Sequence, residues 1–208
     1  MNEMIKNTLK LTLITLIAGA LLGLVYMVTK EPIARQQEKL RRQAWQAVYP
    51  DAASFEEVSA PAAEQITALW QAADLADNQF NEIILAKDEA GTTVGYVITV
   101  TSKAGYGGDI KLSFGLTADG TIRRLYLLSI SETAGLGMKA KEEPFLSQFN
   151  DQSVETLEVK RHTGQPGDGY IDAISGATIT SRAITRAVNA GRLIPSLLPA
   201  NEKGGVTP

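Results

Sequence analysis

The chain has 208 residues, 44% of them hydrophobic and 21% charged, with a formal net charge of -3. This composition excludes a disordered or collagen-like chain, and the mild negative charge gives no basis for nucleic-acid binding. With no cysteine and a single histidine, His162, the chain has no disulfide, thiolate nucleophile, Cys-ligated metal centre or thioether-attached haem, and little means to build a His-rich metal site. Redox or group-transfer chemistry here would need an organic cofactor. The first predicted element is membrane-spanning. Leu11 to Val28 carries no charge and is closed by Lys10 and Lys30. With its flanks it defines a helix over about 9–29, close to the ~20 residues that cross a bilayer. The run is too long for a signal-peptide core and no A-x-A site follows it; apolar residues on every face argue against a surface helix of a soluble domain. Gly19 and Gly23 form a G-x-x-x-G pair, in line with Thr12 and Thr15, a pattern that admits a neighbouring membrane helix. Lys30, Arg35, Lys39, Arg41 and Arg42 outnumber Lys6 and Lys10. A bare positive-inside count therefore puts the large domain in the cytoplasm, although long domains translocate largely regardless of charge.

After this N-terminal segment (1–30) comes a predicted helical connector, 31–80. Glu31 to Tyr49 reads as a charged helix ended by Pro50-Asp51, and the Ala/Glu-rich stretch beyond it as loops and short helix. From Asn81 the hydrophobic period changes to two. Glu82–Lys87 is a predicted strand; Val94, Tyr96, Ile98 and Val100 alternate along a second, and Ile110, Leu112, Phe114 and Leu116 along a third. Asp119-Gly120 is a hairpin signal. Ile122–Ile130, apolar on both faces, reads as a central strand. These elements predict an antiparallel meander. A helix over Lys141–Phe149, a strand over Val154–Lys160 and an amphipathic helix carrying Ala183, Ile184, Ala187, Val188 and Ile194 follow. The expected class is α+β, an antiparallel sheet with flanking helices spanning 81–198, and then a flexible tail, 199–208.

Three stretches could carry chemistry. In Asp172–Ser181, the residues Ser175, Thr178, Thr180 and Ser181 stand where a helix begins, and Gly176 and Ala177 keep bulk away. Free N–H groups and the helix dipole favour a phosphate there. The same run would serve as an ordinary Ser/Thr cap, the commoner role of such residues. Glu132–Gly137 (ETAGLG) has two glycines that allow a flat ligand to approach the main chain; taken alone it reads as a plain connection. Gly105–Gly108 (GYGG) lacks the Gly-Lys-Ser/Thr and parallel unit of a P-loop. His162 lies in a polar Gly/Pro loop as a solvated side chain. A Ser175–His162–Asp172 triad lacks a G-x-S-x-G elbow. Trp45, Trp70, Tyr49 and Phe55 read as packing residues.

The order membrane helix, GYGG, strand hairpin, ETAGLG, and Asp172 three positions before S-G-A-T-x-T-S resembles the G subunit of Rnf-type electron transport complexes, over roughly residues 5–198. Ala134 departs from the proline that many relatives carry. The related C subunit of the sodium-pumping quinone reductase shares the domain but is typically longer. The resemblance implies FMN, joined by a phosphoester to Thr178, with Ser175, Gly176, Ala177, Thr180 and Ser181 around the phosphate. It implies that Glu132, Thr133, Gly135, Leu136 and Gly137 line the flavin ring, that a separate flavin transferase attaches the cofactor, and that Asp172 belongs to the transferase recognition motif. It further implies electron transfer beside other membrane subunits of a complex coupling ferredoxin:NAD electron flow to sodium or proton transport, with the FMN domain outside the cytoplasmic membrane. A stand-alone extracytoplasmic FMN carrier, a quinone-reductase relative, and a non-redox membrane-anchored binding module are the alternatives.

Overall fold

The computed structural model describes residues 2–160 and 168–199. His162 and the tail from Ala200 lie outside them. Two compact units result, one ending at Arg42 and one beginning at Gln43.

The first unit is helical. Helix α1, Glu3–Val48, continues through Pro32, whose missing N–H leaves one carbonyl of the preceding turn without its helical donor. The helix is long and apolar enough to cross a membrane, and its most apolar window is wholly unburied. Thr8, Thr12, Thr15 and Thr29 each return their hydroxyl to a carbonyl one turn back, which removes the polar cost of these side chains in an apolar setting.

The second unit is α+β. Strands β1 (Ser54–Glu57), β2 (Asn78–Lys87), β3 (Thr93–Ser102), β4 (Ile110–Thr117) and β5 (Ile122–Ser129) form an antiparallel meander in sequence order. Helix α2 (Ala63–Ala72) lies between β1 and β2 in sequence. After β5 come a 3-10 turn (Gly137–Lys141), helix α3 (Glu143–Leu146) and a second 3-10 turn (Ser147–Phe149). Strands β6 (Glu158–Lys160) and β7 (Tyr170–Asp172) pair in parallel, and helix α4 (Thr178–Arg192) follows.

Several expectations are corrected. The connector over 31–80 is helical only to Val48 and again in α2; β1 is a sheet strand within it. Only Phe55 of β1 is partly buried, so Ser-Phe-Glu-Glu has no alternation to announce a strand, and its two glutamates suit an exposed edge. The strand beginning at Glu82 starts earlier, at Asn78, because a register shift between Phe80 and Glu82 interrupts the period. The Ile122–Ile130 run is an edge strand, not a central one. The start of its free edge is paired: Ile122 N–H donates to Gln152 O at 3.0 Å and Asp151 N–H to Ile122 O at 2.7 Å. The Val154–Lys160 strand is shortened to β6, because Asn189 takes the role of strand partner at Leu157, accepting its N–H at 3.0 Å and donating to its carbonyl at 2.9 Å.

The two faces of the sheet bury different partners. Ile98, Val100, Leu112 and Phe114 pack in one core with Ala183, Ile184, Ala187 and Val188 of α4. Val97, Ile84 and Ala86 pack on the other with Trp45, Val48 and Tyr49. Gly115 makes the second contact possible, since a Cβ there would sit 2.5 Å from the Val48 carbonyl oxygen. Tyr49 Oη donates to the Val94 carbonyl at 2.7 Å. Trp70 is 4% exposed, and its Nε1 donates to Ala190 O at 2.8 Å, tying α2 to the end of α4.

Arg186 fixes α4 from the side. Its Nε and Nη2 donate to Asp77 Oδ2 and Oδ1 at 3.1 and 2.7 Å. The Arg186 hydrogen bond holds the Asp77 carboxyl below its ordinary range. A lowered folded-state value adds stability at neutral pH that is lost as pH falls through that value. Asp77→Asn is expected to cost about 1 kcal/mol at pH 7, given the partial exposure of the pair. In urea melts the gap to the parent should close below pH ~4; a gap unchanged from pH 7 to pH 3 would contradict this role.

Candidate functional site

The site is assembled where three loops meet the N-terminus of α4. The meander brings the β3–β4 loop, with Tyr106, next to the loop after β5. Tyr106 N–H donates to Glu132 Oε1 at 2.8 Å, and a Cβ on Gly107 would lie 2.1 Å from the Ser131 carbonyl oxygen. Glycine at 107 is therefore a condition of that contact. Thr133 O accepts from Leu136 and Met138 N–H, both at 3.2 Å, closing the ETAGLG loop into a tight turn with Gly135 at φ +76.

The third loop leads from β7 into α4. Ala177 N–H donates to Ile174 O at 2.9 Å, and Gly176, third in that turn, has φ +76, a conformation glycine adopts without a Cβ penalty. Ser181 Oγ donates to Ala177 O and accepts Ile174 N–H, each at 3.0 Å. Its buried hydroxyl thus staples the turn. The N-cap of α4 is Ala177, without a side-chain cap bond. Ordinary Ser/Thr capping is not what this run does. Thr178 begins the helix, and the N–H groups of its first turn have no intrahelical acceptor.

Around this N-terminus opens a cavity of about 530 Å³, lined by Tyr106, Glu132, Thr133, Leu136, Gly137, Gly176, Ala177, Thr178, Ile179 and Thr180. That volume suits a small-molecule site. Tyr106, Leu136 and Ile179 are 71%, 43% and 54% exposed, and from Gln43 onward they are the exposed large apolar side chains among the described residues. All three line this one cavity. Thr180 is 1% exposed yet also lines it. Gly137 keeps the floor open: a Cβ there would meet Glu132 Cβ at 2.7 Å and Thr180 Oγ1 at 2.9 Å.

The structure thus gathers Glu132, Thr133, Leu136, Gly137, Gly176, Ala177, Thr178 and Thr180 at one cavity. Ser175 is exposed and outside the lining, Gly135 shapes the turn, and Ser181 is committed to the backbone. Ile179 is a site residue that the sequence does not announce. Four positions before Ala183, it shares the spacing of the buried face of α4, and only the projection of the first turn into the cavity exposes it. Tyr106 carries just the weak signal of an aromatic between glycines.

The residues present fit a flavin mononucleotide. A flat aromatic ring system matches the Tyr106, Leu136 and Ile179 surfaces, a phosphate matches the uncapped helix N-terminus, and the Thr180 hydroxyl and Glu132 carboxylate supply directional polar contacts.

Comparison with known proteins agrees with this geometry. Residues 105–192 match the family described as FMN-binding domain, and residues 1–48 match the RnfG N-terminal region. The chain is 34% identical over 185 residues to the G subunit of the Na(+)-translocating ferredoxin:NAD(+) oxidoreductase complex of Acetobacterium woodii, covering 88% of this chain and 87% of that protein. It is 30% identical over 187 residues to the G subunit of the proton-translocating ferredoxin:NAD(+) oxidoreductase complex of Clostridium ljungdahlii, covering 90% and 89%. Among solved structures, the C subunit of the Na(+)-translocating NADH-quinone reductase of Parabacteroides distasonis shares the fold, with a TM-score of 0.50 and 20% identity over 72% of this chain and 80% of that one. The chain belongs to the G-subunit family of Rnf-type ion-translocating oxidoreductase complexes and carries that family's FMN-binding domain.

Proposed function

We propose that the protein is a membrane-anchored electron carrier whose FMN is esterified to Thr178. It acts beside other membrane subunits of a complex that couples ferredoxin:NAD electron transfer to sodium or proton translocation. One observation carries this reading: Thr178 is the first residue of an uncapped α4 and opens into the cavity that gathers the exposed apolar side chains of the domain.

FMN bound there would supply one- and two-electron chemistry that the side chains of a cysteine-free chain lack. The protein's part is positional. Tyr106, Leu136 and Ile179 exclude water from an apolar body. The first-turn N–H groups of α4 stabilise the single negative charge left on a phosphodiester. Glu132 holds the Tyr106 loop through its backbone N–H and sets a carboxylate at the cavity wall, where its charge bears on the electron affinity of a bound ring. Thr180 offers a buried hydroxyl as donor or acceptor.

A separate flavin transferase is consistent with the chemistry of Thr178, since an un-ionised threonine hydroxyl is a poor nucleophile. The match of residues 1–48 to the RnfG N-terminal region favours this complex over a stand-alone carrier or a quinone-reductase component. The uncharged membrane run, Leu11–Val28, offers no ionisable carboxylate or amine to a moving cation, so ion translocation falls to partner subunits.

Full-length protein made with the transferase should give a flavin-fluorescent band on a denaturing gel. A flavin that washes away on denaturation would overturn covalent attachment, and a protein that never binds flavin would favour the non-redox binding module. The resemblance also favours the extracytoplasmic side for the domain, against the Lys/Arg count. A reporter enzyme active only outside the cytoplasm, fused after Pro208, should be active; activity of a cytoplasm-only reporter at the same position would reverse the topology.

A further inference from the structure

The charges of the chain are segregated. Residues 30–42 carry five basic and two acidic side chains, whereas residues 43–208 carry 13 basic and 20 acidic ones. The basic stretch belongs to α1 and begins two residues beyond the uncharged run that ends at Val28. By the positive-inside tendency such a stretch stays in the cytoplasm. With the domain outside, its charges need another use.

A groove of about 540 Å³ follows this part of α1, from Met27 and Val28 past Pro32 to Arg35 and Lys39. One end is apolar and belongs to the span, and the other carries two cations. All four side chains at its ends are exposed. At 1.5 Å per residue, Arg35 and Lys39 leave the helix about 10 and 16 Å beyond Val28. Side chains of a helix lean toward its N-terminus, here toward the span. Arg35 shows this lean, since its Nη2 reaches back one turn to Glu31 Oε2 at 3.2 Å. The polar zone of a bilayer extends about 5–7 Å beyond the hydrocarbon on each side. A cation leaning back by one turn comes down to that zone from Arg35, and to its outer rim from Lys39.

The groove also faces away from the side of α1 suited to helix packing. By helical phase its lining residues centre roughly 170° from Thr12, Thr15, Gly19 and Gly23. A partner helix seated on the small residues leaves the groove turned to lipid.

Resting on the reading of α1 as a membrane span, and independent of the flavin, we propose that this groove binds an anionic phospholipid. An acyl chain lies on Met27 and Val28, and Arg35 and Lys39 hold the phosphate through charge-assisted hydrogen bonds. Glu31, held by Arg35, orients the guanidinium. Lys39 adds the charge that favours an anionic over a zwitterionic headgroup. The bound lipid gives the basic stretch its counter-charge at the membrane surface and fixes the depth at which α1 leaves the bilayer.

The test uses the full-length protein, purified in detergent, stripped of lipid and titrated with phosphatidylglycerol or phosphatidylcholine of equal chain length. Native mass spectrometry counts the lipid retained. The parent should prefer phosphatidylglycerol on the order of tenfold. Arg35→Gln combined with Lys39→Gln should abolish the preference with helicity unchanged by circular dichroism. Lys6→Gln combined with Lys10→Gln removes the same charge from the other end of the span and should leave the preference in place. A parent without the preference overturns the proposal and returns this face to a partner subunit's helix. Equal losses in the two double variants overturn it as well, because any flanking cation would then serve. A parent recovered in the soluble fraction without detergent overturns the reading of α1 as a span instead.

Discussion

Thr178→Ala is expected to abolish denaturation-resistant flavin fluorescence completely while leaving the domain folded. Thr178 is only partly buried at the start of α4, and its removal takes away no packing that the core depends on. Alanine is a good helix former, so the helix itself should persist. Thr178→Ser keeps a hydroxyl at the same atom position and should retain linkage at a reduced rate. Thr180→Val separates attachment from holding. It removes a buried hydroxyl at the cavity but leaves the Thr178 oxygen in place, so the flavin should stay linked with an altered redox potential. Linked flavin in Thr178→Ala at parental yield would refute the assignment.

Phe114→Ala should produce the largest loss of stability, about 3–5 kcal/mol by analogy with other buried aromatic truncations. Phe114 is fully buried on β4 and its ring lies directly on the α4 backbone: a Cβ on Gly191 would meet the ring carbon Cε1 at 2.7 Å. The Phe114 ring bridges sheet and helix there, with no α4 side chain at Gly191 to fill the space, so truncation opens a cavity that neither backbone can close. The Tm should fall on the order of 10 °C for a domain of this size. Because α4 presents Thr178 from its far end, partial melting should also slow flavin loading. A Tm within about 2 °C of the parent would show that this contact does not hold the helix to the sheet.

The membrane run and the meander were legible because each rests on a strong period: an unbroken uncharged stretch in one case, alternation along Tyr96–Val100 and Ile110–Leu116 in the other. Other elements depended on tertiary partners. Strand β1 carries one partly buried apolar residue and exists through its pairing with β2. The apolar character of Ile122–Ile130 suggested a central strand, but this is an edge strand, less buried than β3 and β4 and capped at Ile122 by residues 151–152. The helix over Lys141–Phe149 broke into three short pieces around Pro144.

At the site, physical reading alone pointed to ordinary capping, and the motif resemblance pointed to a phosphate. The geometry supports the second through a detail invisible in sequence: the N-cap is Ala177, so the hydroxyls of Ser175, Thr178, Thr180 and Ser181 have other roles. Ser181 folds the turn, Thr180 faces the cavity, and Ser175 faces solvent. Ile179 escaped notice and Tyr106 stood out only weakly, within Gly105–Gly108, because exposure of an apolar side chain is a property of its surroundings.

Covalent attachment at Thr178 is tested most directly by peptide mass mapping of the protein purified from cells that contain the transferase. A peptide holding Ser175 to Ser181 should carry the mass of FMN less one water, with fragmentation placing it on Thr178. An adduct on Ser175 or Thr180, or an unmodified peptide from a fully loaded preparation, would contradict that assignment.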